Sequence, residues 1–166
     1  MGMRIEVEVV PLATVSRENI QVLSEARRHL VLVVDDERLI ADTLSLILSK
    51  SGFSTLTAYD ASSALELVKT TPPDILISDV IMPGMTGIEL AVAFTQLLPE
   101  CPILLFSGNA SMVDLLEEVR NDGHDFTILT KPVHPTEILR RISECLTMRE
   151  ACCEAAAKSL VGVYAN

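Results

Sequence analysis

Leu30–Glu37 reads LVLVVDDE, and this stretch decides the fold. Five apolar residues run without a break and stop at two acids. A strand with one wet face would alternate apolar and polar residues; an unbroken run suits a parallel strand buried on both faces. Helical spacing follows from Leu39 to Lys50, with Ile40, Leu44, Ile47 and Leu48 in register and Gly52 at the C-terminal cap. A second, weaker strand is predicted over Phe53–Ala58. A helix follows over Ala61–Thr70, ended by Pro72-Pro73.

The alternation continues outward. Ile75–Ser78 is a short apolar run that stops at Asp79. Ile88, Ala91, Phe94, Leu97 and Leu98 stand at helical spacing. Ile103–Phe106 is a strand ending at Ser107-Gly108. Met112, Leu115, Leu116 and Val119 mark a helix, and Phe126–Leu129 is a last strand before Thr130-Lys131-Pro132. Pro135 opens a final helix, with Ile138, Leu139, Ile142 and Leu146 facing inward. Strand and helix thus alternate five times, which implies a parallel sheet with helices on both faces. Ligands of such sheets sit beyond the carboxyl ends of the strands. Asp35, Asp36, Asp79, Ser107 and Lys131 all stand there, far apart in sequence but gathered by the fold.

Three segments follow from this pattern: an N-terminal extension over 1–29, the βα unit over 30–148, and a helical extension or tail over 149–166. The first holds an alternating stretch (Ile5, Val7, Val9) and a polar helix candidate near Ser16–Arg28. Neither flank carries a chemical motif.

Composition narrows the function. Apolar residues make up 49% of the 166, so a packed aliphatic core is expected. The formal charge is −10, from 13 basic and 23 acidic residues, which argues against direct nucleic-acid binding and suits a divalent cation or a basic partner surface. Cys101, Cys145, Cys152 and Cys153 have no CxxC spacing, so reduced thiols are expected rather than a zinc site. His29, His124 and His134 read as surface or capping residues. No apolar run reaches the ~18 residues of a membrane span, and a signal-peptide pattern is absent, so a cytoplasmic location is expected.

The gathered groups suggest phosphoryl chemistry. Crowded carboxylates repel unless a positive charge or a hard dication intervenes. Mg²⁺, or Mn²⁺, takes oxygen ligands of this kind. Asp79 is the candidate nucleophile, Lys131 a fixed positive charge, and Ser107 a hydroxyl donor.

VVDDE (Val33–Glu37), DVIMPGMTG (Asp79–Gly87), FSG (Phe106–Gly108) and TKPV (Thr130–Val133) together resemble the receiver domain of two-component response regulators. The resemblance runs from about Leu30 to Leu146. It implies a flavodoxin-like α/β fold, a doubly wound parallel sheet in strand order 2-1-3-4-5. It implies Asp79 as phosphoacceptor, with Mg²⁺ held by Asp35, Asp36, Asp79 and the Ile81 backbone carbonyl. Ser107 and Lys131 would contact the phosphoryl group, Pro132 would follow a cis peptide, and Pro83 and Gly87 would shape the loop after Asp79. Ile81 and Asn109 would flank the site and influence water access. The implied partners are a sensor histidine kinase or histidine phosphotransfer protein and a downstream protein, with no output domain after Leu146.

One position departs from the family. Tyr or Phe usually stands three residues before the lysine and turns inward on phosphorylation; here it is Ile128, with Phe126 two residues earlier and expected in the core. Other readings use the same residues. The chain could be a receiver cut from a larger regulator or hybrid kinase. It could also be a phosphorylation-independent scaffold, with the long last helix supporting a homodimer. A metal-dependent phosphatase with an aspartyl nucleophile would need a second Asp two residues on, and Ile81 occupies that place.

Overall fold

The computed structural model describes residues 28–108 and 126–163, with side chains through Cys152 and at Glu154. The described residues form β1 (Leu30–Val34), α1 (Arg38–Lys50), β2 (Ser54–Ala58), α2 (Ala61–Thr70), β3 (Ile75–Asp79), α3 (Gly87–Leu97), β4 (Ile103–Ser107), β5 (Thr127–Thr130) and α4 (Pro135–Val163). The helix expected around Met112–Val119 lies outside the described residues. The strands pair in parallel in the order β2-β1-β3-β4-β5, the flavodoxin-like arrangement.

Side chains alternate across the sheet, as strand geometry demands. Leu32, Val34, Leu76, Ile103 and Leu105 point into one core, closed by Ala64 and Val68 of α2 and Ile88, Ala91 and Phe94 of α3. Val31, Val33, Ile75, Ile77, Leu104 and Phe106 point into the other, closed by Ala41, Leu44 and Leu48 of α1 and Ile138, Ile142 and Leu146 of α4. Every residue of β3 and β4 is buried. The continuous apolar runs are thus explained: both faces of the inner strands are dry.

Three strands, β3, β4 and β5, end one residue beyond the apolar runs, at Asp79, Ser107 and Thr130. Asp79 ends β3 opposite Phe106, and Ser107 ends β4 opposite Thr130. Backbone pairing continues where hydrophobicity stops. Phe53 and Phe126 were expected inside strands and lie just before them. The Phe53 N–H instead donates to the Leu48 carbonyl at the end of α1. Phe126 is buried in the first core all the same. No helix of the described residues is long and apolar enough to cross a membrane.

The loop after Asp79 is built by local chemistry. Gly84 turns the chain at φ +78°, a region that favours glycine. Thr86 then caps α3 in a reciprocal box: its hydroxyl accepts from Glu89 N at 3.2 Å, and Glu89 accepts from Thr86 N at 2.8 Å. The Thr86 N–H and hydroxyl both donate to the Glu89 carboxylate and hold it below its usual range. Gly87 sits directly behind the phosphoacceptor candidate. Its N–H donates to the Val80 carbonyl at 2.9 Å, and a Cβ there would lie 1.9 Å from the Asp79 carbonyl oxygen. Gly87→Ala must push the backbone carrying Asp79 aside, at a cost of about 1–3 kcal/mol. Denaturant unfolding checks this, and an unchanged midpoint would contradict it.

Candidate functional site

The strand order reverses direction between β1 and β3, and this creates the crevice in which the site lies. Asp35 follows β1 and Asp79 ends β3, both buried. Lys131 follows β5 and reaches back across the crevice. Its ammonium pairs directly with Asp79 Oδ1 and lies 3.4 Å from Asp35 Oδ2. One cation therefore stands between two carboxylates that are 44 residues apart in the chain.

Backbone donors complete the carboxylates' surroundings. The Ile81 N–H donates to Asp79 Oδ2 at 2.9 Å, and the Glu37 N–H donates to Asp35 Oδ1 at 2.9 Å. Lys131 is held by its own N–H, which donates to the Ser107 carbonyl at 2.8 Å. Ser107 is buried at the end of β4. The Lys131-Pro132 peptide is cis.

The electrostatics follow from this geometry. Burial pushes the Asp35 carboxyl above its usual range, and the neighbouring Asp79 charge adds to the rise. The Glu37 N–H and Lys131 act the other way without cancelling it. Burial alone would lower the Lys131 ammonium, but its hydrogen bonds and attraction to Asp79 and Asp35 outweigh that and raise it.

Some of the remaining candidates lie near this centre and others do not. Asp36 is exposed at the mouth of the crevice, and the Ile81 side chain is 53% exposed beside Asp79. Pro83 is exposed in the loop, Gly87 is buried beneath it, and Asn109 lies outside the described residues. Ile128 is half-buried and packs against the first core. His134 caps α4, accepting from Thr136 N at Nδ1, and His29 lies at the far end of the sheet. Cys101, Cys145 and Cys152 are free thiols; burial pushes Cys101 up to about 12.

Among the described residues, no three His, Cys, Asp or Glu side chains converge as a metal cage. The donor set nevertheless fits Mg²⁺, which is commonly held by one or two carboxylates and keeps its waters. A buried carboxylate raised by burial and a like charge is a group that a dication would hold ionised.

Two supports carried no recognisable sequence signal. Ser78, fully buried, donates its hydroxyl to the Asp79 carbonyl at 2.9 Å. Its one trace is a polar residue inside an apolar strand. The Glu37 N–H is the other, and as a backbone group it leaves no trace at all.

An α/β domain with an acidic crevice and a lysine at its strand ends is thereby defined. The model of the response regulator receiver domain matches residues 31–143, and the chain belongs to that family. Solved structures agree. A CheY-like response regulator receiver domain protein from Methanospirillum hungatei JF-1 is 28% identical with a TM-score of 0.69, over 75% of this chain and 98% of that one. Chemotaxis protein CheY4 from Vibrio cholerae is 30% identical with a TM-score of 0.65, over 72% of this chain and 99% of that one. NtrX from Brucella abortus is 26% identical with a TM-score of 0.71, over 78% of this chain but 29% of that one. The same domain is thus found both as nearly a whole chain and as part of a longer one.

The raised Asp35 carboxyl has a measurable consequence. Its folded-state value exceeds the unfolded 3.8, so the stability linked to it is present below 3.8 and lost as pH rises through the folded value. Asp35→Asn removes that loss. In metal-free buffer it raises the melting temperature at neutral pH, and the gain shrinks as pH falls toward 3.8. Thermal unfolding with a chelator present checks this; a lower melting temperature at neutral pH would contradict it.

Proposed function

We propose that Asp79 accepts a phosphoryl group from a phosphohistidine on a sensor kinase or phosphotransfer protein, in a reaction that requires Mg²⁺ or Mn²⁺. The chain then signals by protein contact, in the cytoplasm where such donors work. One observation carries this reading: the Lys131 ammonium paired with buried Asp79 and standing 3.4 Å from buried Asp35.

A carboxylate oxygen of Asp79 forms the new O–P bond as the donor's N–P bond breaks, and the imidazole leaves. The product is an acyl phosphate. Lys131 then pairs with a phosphoryl oxygen in place of the Asp79 carboxylate charge that the new bond consumes. The Ser107 hydroxyl, buried at the same edge, is the candidate donor to a second phosphoryl oxygen. The Ile81 N–H keeps the Asp79 carboxyl oriented. Asp35, Asp79 and the Ile81 carbonyl would hold the cation, with Asp36 beside them. When bound, the cation neutralises charge on the phosphoryl group in flight. Little further machinery is required, because phosphoryl transfer rests mainly on positioning and electrostatics.

A groove of about 620 Å³ opens beside Lys131, lined by Leu39, Ile40, Val133, Pro135 and Ile138 among others. Leu39 is 80% exposed at its edge. An apolar groove next to the nucleophile suits the docking of a donor's histidine-bearing helix. The domain's readout need not use a ring, since Ile128 stands where the family usually has an aromatic residue.

Incubation with acetyl phosphate and Mg²⁺ tests the proposal. Mass spectrometry should show a base-labile gain of one phosphoryl group, abolished by Asp79→Asn or by chelation. Lys131→Met should slow the gain by about a hundredfold. Labelling that persists in Asp79→Asn at the wild-type rate would overturn the assignment.

A further inference from the structure

The far end of β3 carries a second buried acid. Asp74 is 7% exposed, immediately before β3 and opposite Asp79 along the strand. Its Oδ2 accepts from Leu30 N at 2.8 Å, and its own N–H donates to the Leu30 carbonyl at 2.8 Å. Arg149 of α4 donates from Nη1 to the Asp74 carbonyl at 2.9 Å and to Asp74 Oδ1 at 3.1 Å. His29 Nδ1 lies 3.9 Å from Asp74 Oδ2, while its Nε2 lies 3.6 Å from the Glu150 carboxylate. Residues entering β1 and residues leaving the packed part of α4 therefore meet on one carboxylate.

The position on the helix matters. Ile138, Ile142 and Leu146 form the buried stripe of α4, at spacings of one turn. Arg149, three residues on, occupies the next place on that stripe. An arginine stands there because the surface beneath it is the Asp74 carboxylate and carbonyl rather than apolar side chains. Beyond it the helix continues through Val163, about 21 Å at ~1.5 Å per residue. A helix of that length is marginal in water when unsupported.

We propose that Arg149 and Asp74, with His29 lying between Asp74 and Glu150, form a clasp that fixes how the C-terminal helix leaves the domain and ties it to the chain entering β1. The clasp lies at the end of the sheet opposite Asp79, so it acts on the helix without touching the groups around that carboxylate. Arg149 is suited to this, because a guanidinium fork reaches a carbonyl and a carboxylate together, which an ammonium does less well.

Hydrogen exchange on the full chain tests it. Arg149→Met should reduce protection of amides in residues 150–163 by about tenfold, the scale of a charge-assisted hydrogen bond. Protection at Leu32 of β1 and Ile77 of β3 should be retained. Arg149→Lys, which keeps the charge and serves if the Met variant fails to fold, should give an intermediate loss confined to the same residues. Unchanged protection in 150–163 would overturn the proposal. Equal loss in the helix and in the central strands would overturn it too, since the pair would then be a general stabilising contact.

Discussion

Two buried carboxylates held around one ammonium are the constraint on which the rest of this structure depends. Asp35 and Asp79 repel, and burial removes the water that would screen them. Lys131 answers that repulsion, and each carboxylate also takes a backbone N–H, from Glu37 and Ile81. Such an arrangement is costly to assemble. It leaves the Asp79 side chain oriented by a backbone donor and facing an ammonium. The rise of the Asp35 carboxyl records the remaining imbalance, and a dication would resolve it.

The sheet makes this crowding possible. Only a parallel strand order that reverses between β1 and β3 sets their carboxyl ends beside the end of β5's reach. The packing is tuned to hold Asp79 still. Gly87 leaves no room behind its carbonyl, Ser78 hydrogen-bonds that carbonyl, and β3 is dry on both faces. Asp74 immediately precedes the same strand at its other extremity. A rigid central strand thus has an acid at each end. One faces the Lys131 ammonium, and the other is engaged by the long helix and the incoming chain.

Much of this was legible in the residues. LVLVV before Asp35-Asp36 and ILIS before Asp79 are dry on both faces, and continuous apolarity is the direct imprint of that environment. The gathering of Asp35, Asp79, Ser107 and Lys131 at one edge followed from the alternation of strand and helix alone. Boundaries were less legible. Asp79 and Ser107 are themselves strand residues, since backbone pairing ignores side-chain polarity. Phe53 and Phe126 looked like strand residues because burial and strand pairing give the same local signal. Least legible were contacts between distant, solitary polar residues. Nothing periodic links Arg149 to Asp74 or Ser78 to the carbonyl beside it, so only the fold reveals them.

In the proposed function, Asp79, Lys131 and a divalent cation form one phosphoryl-accepting centre. Fluorine NMR of the protein with Mg²⁺ and beryllofluoride, a mimic of the phosphoryl group, tests it most directly. Bound fluorine resonances are expected in the wild type, vanishing on chelation and absent in Asp79→Asn. A wild-type protein that gives no bound resonance, or one whose signal survives Asp79→Asn, would contradict it.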